Sequence, residues 1–116
     1  MPTHNALVFD DDPFNLEVVC RLLASANITC TTAPDARQLL STLTSAGQVD
    51  FVIIDLEMPK VDGFRAFEAL RGLLGPAVPI IACSVHVEEM NNARALGFHS
   101  FIGKPLDKNR FLEQLE

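Results

Sequence analysis

Short, wholly apolar runs alternate with amphipathic stretches along this chain. Residues 6–9 are apolar throughout and end abruptly on Asp10, Asp11 and Asp12. Pro13 follows, so Asp12 is expected to cap a helix whose first turn holds the proline. Leu16, Val19, Leu22, Leu23 and Ala26 recur at three- and four-residue intervals, the spacing of a helix with one buried face. Asn27 is its expected stop. Residues 28–32 are rich in threonine and alternate in polarity, which suits a strand near a sheet edge. Pro34 opens a second helix, carried by Leu39, Leu40 and Leu43 and stopped at Gly47. Phe51, Val52, Ile53 and Ile54 predict a third strand, apolar on both faces as a strand covered on both sides must be. Asp55 stands at its C-terminal end. A loop through Pro59 and Gly63 leads to a helix bearing Phe64, Phe67, Leu70 and Leu74. Residues 78–83 form the fourth strand, 88–96 a short helix capped by Gly97, and 98–102 the fifth strand. Lys104 and Pro105 open a loop before a last helix from about residue 107 to the end.

Strands and helices in strict alternation demand a parallel sheet with right-handed crossovers and helices on both faces. The expected fold is therefore α/β, a doubly wound (βα)5 sandwich. A chain of 116 residues suits one domain spanning 1–116. It buries roughly 65% of its unfolded surface, enough for a core without metal or disulfide staples. The last helix runs into Glu116, which leads us to expect a longer natural protein cut at this point.

Charge and cysteine content narrow the function classes. A formal net charge of −6 argues against direct binding of nucleic acid or an anionic membrane, since both need a basic face. No apolar run approaches the roughly 20 residues of a membrane span, and the N-terminus lacks the basic and apolar regions of a secretory signal. A cytoplasmic protein is expected. Cys20, Cys30 and Cys83 are odd in number and widely spaced, so they are expected to be ordinary buried, reduced thiols.

In an open parallel sheet, ligands bind beyond the carboxyl ends of the strands where strand order reverses. Past the first strand stand Asp10 and Asp11, past the third Asp55, past the fourth Ser84 and past the fifth Lys104. If those strands are neighbours, three carboxylates, a hydroxyl and an ammonium share one rim. Two carboxylates 4 Å apart repel by about 4 kcal/mol at an effective dielectric of 20, so such a cluster either takes up a proton or binds a hard cation. Oxygen ligands without His or Cys favour Mg²⁺ or Mn²⁺. A phosphate would complete the metal's shell, with Ser84 and Lys104 on its other oxygens. One carboxylate could itself be the nucleophile, forming an aspartyl phosphate; Asp55 is centrally placed.

Four segments together carry a resemblance: residues 7–13, residues 53–59 with Asp62 and Gly63, residues 79–84, and residues 101–105. In this order and spacing the sequence resembles a receiver domain of two-component signalling, the response-regulator family, of the chemotaxis type. The resemblance implies a flavodoxin-like fold with strand order 2-1-3-4-5. It makes Asp55 the phosphoacceptor, Asp11 a direct Mg²⁺ ligand, Asp10 a ligand acting more through water, and the backbone carbonyl of Glu57 the third protein ligand. Ser84 matches the switch hydroxyl, Lys104 the phosphate-pairing lysine, and Phe101 the aromatic that swings inward. The implied donor is a sensor histidine kinase or a histidine phosphotransfer protein in a phosphorelay. The implied output is a change in the face formed by the fourth helix, fifth strand and fifth helix, read by an output domain, an effector protein or a second copy in a homodimer.

Two positions depart from the common pattern. Val85 places a β-branched side chain where a small residue is usual, which crowds the phosphoryl site. Phe101 lacks the hydroxyl of a tyrosine, so its inward state must be held by packing. His86 and Glu57, each two residues beyond a reacting group, are expected to tune the lifetime of the phosphorylated state. Three other classes compete. A haloacid-dehalogenase-like phosphohydrolase would place its nucleophile after the first strand, but the chain lacks a cap domain and the later acidic loop. A flavodoxin-like cofactor binder would need a Ser/Thr/Gly-rich loop where three aspartates stand. A phosphorylation-independent scaffold would not need the full set of acids, Ser84 and Lys104.

Overall fold

The computed structural model describes residues 4–10, 12–33, 49–56, 63–75, 77–84, 86, 88, 90–103 and 109. Strands β1 (His4–Phe9), β2 (Ile28–Ala33), β3 (Phe51–Asp55), β4 (Ile80–Ser84) and β5 (Ser100–Gly103) form one sheet in the order β2-β1-β3-β4-β5. Every pairing is parallel. The helices among the described residues are α1 (Pro13–Ala24), α2 (Gly63–Leu74) and α3 (Met90–Leu96). The helix expected after Pro34 lies outside the described residues, and of the one expected from about residue 107 only residue 109, which is helical, is described.

The two-residue period of the strands explains why they read as continuous apolar runs. Leu7, Phe9, Val52, Ile54, Ile80 and Ala82 pack in one cluster with Phe67 and Leu70 of α2 and Ala93 of α3. Ala6, Val8, Ile53, Ile81, Cys83 and Ile102 pack in the other, with Val19 and Leu23 of α1. Both faces of the three central strands are therefore covered, as a parallel sheet requires. The alternating, threonine-rich β2 takes an edge, where Thr29 and Thr32 are exposed.

Local chemistry sets the element ends. Asp12 is the N-cap of α1, its carboxylate accepting the Phe14 N–H at 2.9 Å, and Pro13 occupies the first turn. Asn27 has φ +62° in the turn into β2, the left-handed conformation that asparagine tolerates. Gly97 has φ +107° after α3, where a side chain would be strained. Arg71 of α2 donates from Nη1 to the carbonyls of Gly75 (3.0 Å) and Val78 (2.7 Å), holding the connection into β4. Its guanidinium lies 5.3 Å from the centroid of the Phe67 ring, which stacks on Phe98 at 4.3 Å.

Several expectations change: β1 begins at His4 rather than at residue 6, α1 ends at Ala24 with Ser25 as its C-cap rather than stopping at Asn27, and α3 begins at Met90 rather than at residue 88. β4 begins at Ile80 rather than at residue 78. Phe98 belongs to the turn after α3 and fills the core, and β5 begins at Ser100. Cys20 and Cys30, expected as reduced thiols, are joined in a disulfide with Cα atoms 5.4 Å apart. Cys20 sits four residues after Leu16 and three before Leu23 on the inward stripe of α1, and Cys30 shares its side of β2 with Ile28. The two sulfurs thus meet in the seam between the helix and the edge strand. Cys83 remains a buried thiol, as expected.

Candidate phosphoryl-acceptor site

The order β2-β1-β3-β4-β5 puts the four strands that carry the expected polar residues side by side. Phe9 pairs in register with Ile54, so Asp10, one residue on, stands beside Asp55 at the carboxyl edge. Asp55 in turn pairs with Cys83, one residue before Ser84. Asp10, Asp55 and Ser84 are 4%, 5% and 1% exposed, and they are the buried polar side chains among the described residues. Asp10 and Asp55 also line one cavity of about 210 Å³ with Phe14, Val18 and Val19 of α1 and with Cys83. Burying carboxylates is costly unless they are partnered, which makes this buried acid pair at a shared cavity the candidate site among the described residues.

Backbone hydrogen bonds fix each group. The Asp12 N–H donates to Asp10 Oδ1 at 2.9 Å, so the residue that caps α1 also orients the acid before it. Beyond Asp55 the ladder continues: the Leu56 N–H donates to the Cys83 carbonyl at 2.9 Å, pinning both sides of the Asp55 backbone. The Ser84 hydroxyl oxygen accepts the His86 N–H at 2.9 Å. In that contact the hydroxyl oxygen acts as an acceptor, one of the two roles a serine hydroxyl can play. His86 Nδ1 lies 3.1 Å from Glu88 Oε1, in an exposed pair beside the site.

The structure thus brings together Asp10, Asp55 and Ser84, with His86 at the margin. Phe101 is half-buried on β5 and packs against the cluster beneath α2 and α3. Ser84 pairs in register with Gly103, the residue before Lys104. Asp11, Glu57, Val85 and Lys104 lie outside the described residues. Glu88 as the partner of His86, and the turn that ties Ser84 to His86, are not among the expectations from the sequence alone. A hydroxyl two residues before a loop N–H is the signal that points to the turn.

Phosphate and hard-cation chemistry is what this edge suits: a parallel doubly wound sheet with paired acids and a hydroxyl beyond adjacent strands. The comparisons with known proteins agree. Residues 6–116 match the family model for the response regulator receiver domain, and the chain belongs to that family. Sensor histidine kinase RcsC of Escherichia coli K12 is 33% identical over 102 residues, covering 86% of this chain and 10% of that protein. Transcriptional regulatory protein GlrR of the same strain is 32% identical over 117 residues, covering 99% of this chain and 26% of that protein. The chain thus spans about a tenth of the kinase and about a quarter of the regulator. Among solved structures, chemotaxis protein CheY4 of Vibrio cholerae superposes with a TM-score of 0.87 at 25% identity, covering 98% of this chain and 97% of that one. Receiver domains are phosphorylation-activated signalling switches, and the flavodoxin-like order of the sheet is theirs. No helix among the described residues is long and apolar enough to cross a membrane.

Proposed function

We propose that this chain is a competent receiver unit that accepts a phosphoryl group on Asp55. The observation that carries the reading is the burial of Asp10 and Asp55 at adjoining strand ends with Ser84 on the next strand. In the step, an Asp55 carboxylate oxygen bonds to phosphorus, and the bond from phosphorus to the donor's nitrogen or oxygen breaks. The Ser84 hydroxyl donates to a phosphoryl oxygen while its own oxygen keeps the His86 N–H. Lys104 pairs with another oxygen, and Phe101 follows Ser84 inward. Asp10, Asp11, Asp55 and the Glu57 carbonyl fit Mg²⁺, as an all-oxygen donor set should. Bound there, the ion would neutralise charge on the phosphoryl oxygens.

The chain's own chemistry is its phosphorylation and dephosphorylation, so it acts as a cytoplasmic signalling domain rather than a turnover enzyme. The donor is a sensor histidine kinase or histidine phosphotransfer protein. The receiving surface for an output domain, an effector or a second copy is the face of α3, β5 and residues 107–116. His86 with Glu88, together with Glu57 and Val85, sets how water reaches the phosphoryl group. The test is to phosphorylate with acetyl phosphate and Mg²⁺, trap the acyl phosphate with borohydride and map the peptides. Reduction confined to Asp55 supports the proposal, and reduction at Asp10, Asp11 or Asp12 assigns the nucleophile elsewhere.

A further inference from the structure

We propose that Cys20 and Cys30 form a reversible thiol–disulfide modification site that fastens the C-terminal half of α1 to the edge strand β2, with a low-molecular-weight disulfide as its oxidant. The two residues are joined with a Cα separation of 5.4 Å, within the range that disulfide geometry accepts without moving the backbone. Both are half-buried rather than sealed in the core. They line an open depression of about 430 Å³ with Ala24, Asn27, Ile28 and Thr29. A reagent can therefore reach the sulfurs from solvent while the fold stays intact. Cys83, by contrast, is 4% exposed within the sheet and serves as an internal reporter of unfolding.

Neither half of the bond is needed to build the fold. The α1–β2 seam also holds Leu16, Leu22, Leu23 and Ile28 in one apolar cluster, so the dithiol form keeps its packing. What the bond adds is a covalent limit on how far α1 can move from β2. The other end of the same helix supplies Phe14, Asn15, Val18 and Val19 to the cavity shared by Asp10 and Asp55. Chemically, one cysteine thiolate attacks glutathione disulfide, forming a mixed disulfide and releasing one glutathione thiolate. The second cysteine thiolate attacks the protein-side sulfur, closing the bond and releasing the other. The dithiol is oxidised, the glutathione disulfide is reduced, and the two thiol protons end on the two released glutathione molecules.

The experiment equilibrates the folded chain in a graded series of reduced-to-oxidised glutathione ratios, quenches with an alkylating reagent and reads intact mass and labelled peptides. The expected result is a two-hydrogen change shared by Cys20 and Cys30, approached equally from either direction, with Cys83 unlabelled throughout. Cys20→Ser and Cys30→Ser should each collect a single glutathione on the remaining cysteine instead. Hydrogen exchange of the last turn of α1 and of β2 should be slower in the oxidised form by about tenfold or more. The proposal fails if the pair stays fully reduced at every ratio, if labelling requires Cys83 to react with it, or if oxidised and reduced forms exchange at the same rate.

Discussion

Replacing Asp10 with asparagine should make the metal-free domain more stable while removing its response to Mg²⁺. Asn keeps the shape of the side chain and an oxygen for the Asp12 N–H that now donates to Asp10 Oδ1 at 2.9 Å. What it removes is charge. Asp10 and Asp55 are 4% and 5% exposed and sit beside one another on neighbouring parallel strands, which lie roughly 4.8 Å apart. Two like charges about 5 Å apart at an effective dielectric of 20 repel by about 3 kcal/mol. Screening by dissolved salt lowers the gain to about 1–2 kcal/mol. Urea unfolding in EDTA should therefore show a higher midpoint for Asp10→Asn than for the parent, at unchanged slope. With Mg²⁺ at ten times its dissociation constant, the parent should gain about 1.4 kcal/mol by mass action and the variant nothing. A variant less stable than the parent in EDTA, or one that gains equally from Mg²⁺, would refute the placement of Asp10 in a repelling, ion-binding pair.

Ser84→Ala should still be phosphorylated on Asp55, but at least tenfold more slowly at low donor concentration, as followed by mass against time. Phosphorylation at the parental rate would remove Ser84 from the site. Reducing the Cys20–Cys30 bond, which spans a sequence separation of 10, should lower stability by about 2.7 kcal/mol on chain-entropy grounds, read as a lower urea midpoint with a phosphine reductant. Arg71→Ala loses two hydrogen bonds to the α2–β4 connection and a ring contact. It should cost about 2–3 kcal/mol in the same assay, with phosphorylation of the folded fraction unchanged. His86→Ala, Glu88→Ala and Glu57→Ala should each change the half-life of phosphorylated protein by about threefold or more, and unchanged decay in all three would remove these positions from the control of hydrolysis.

The fold was legible because each central strand must be covered on two faces. That requirement wrote Phe51 to Ile54 as an unbroken apolar run and left the edge strand β2 threonine-rich. The helix signals were local too: Asp12 and Pro13 at one end of α1, Asn27 just beyond the other. Asp10, Asp55 and Ser84 could be named from sequence because parallel strands deliver every carboxyl end to the same rim. Contacts between elements were less visible. The Cys20–Cys30 bond depends on which side of β2 faces α1, although the spacing of Cys20 from Leu16 and Leu23 already put it on the inward stripe. Phe98 read as strand because an apolar residue after Gly97 fits either a strand or a core turn, and only its stack on Phe67 decides between them. Glu88 was not legible because an exposed acid gains meaning only from the His86 ring 3.1 Å away.

Phosphoryl acceptance by a buried Asp55, flanked by Asp10 and Ser84, is the proposal on which the other roles of this site depend. Its most direct test is the intact mass of the chain after incubation with acetyl phosphate, in Mg²⁺ and in EDTA, beside Asp55→Asn. One phosphoryl group is expected to add in Mg²⁺, with none in EDTA and none in the variant. A folded parent that gains no mass in Mg²⁺, or an Asp55→Asn variant that gains as much as the parent, would contradict it.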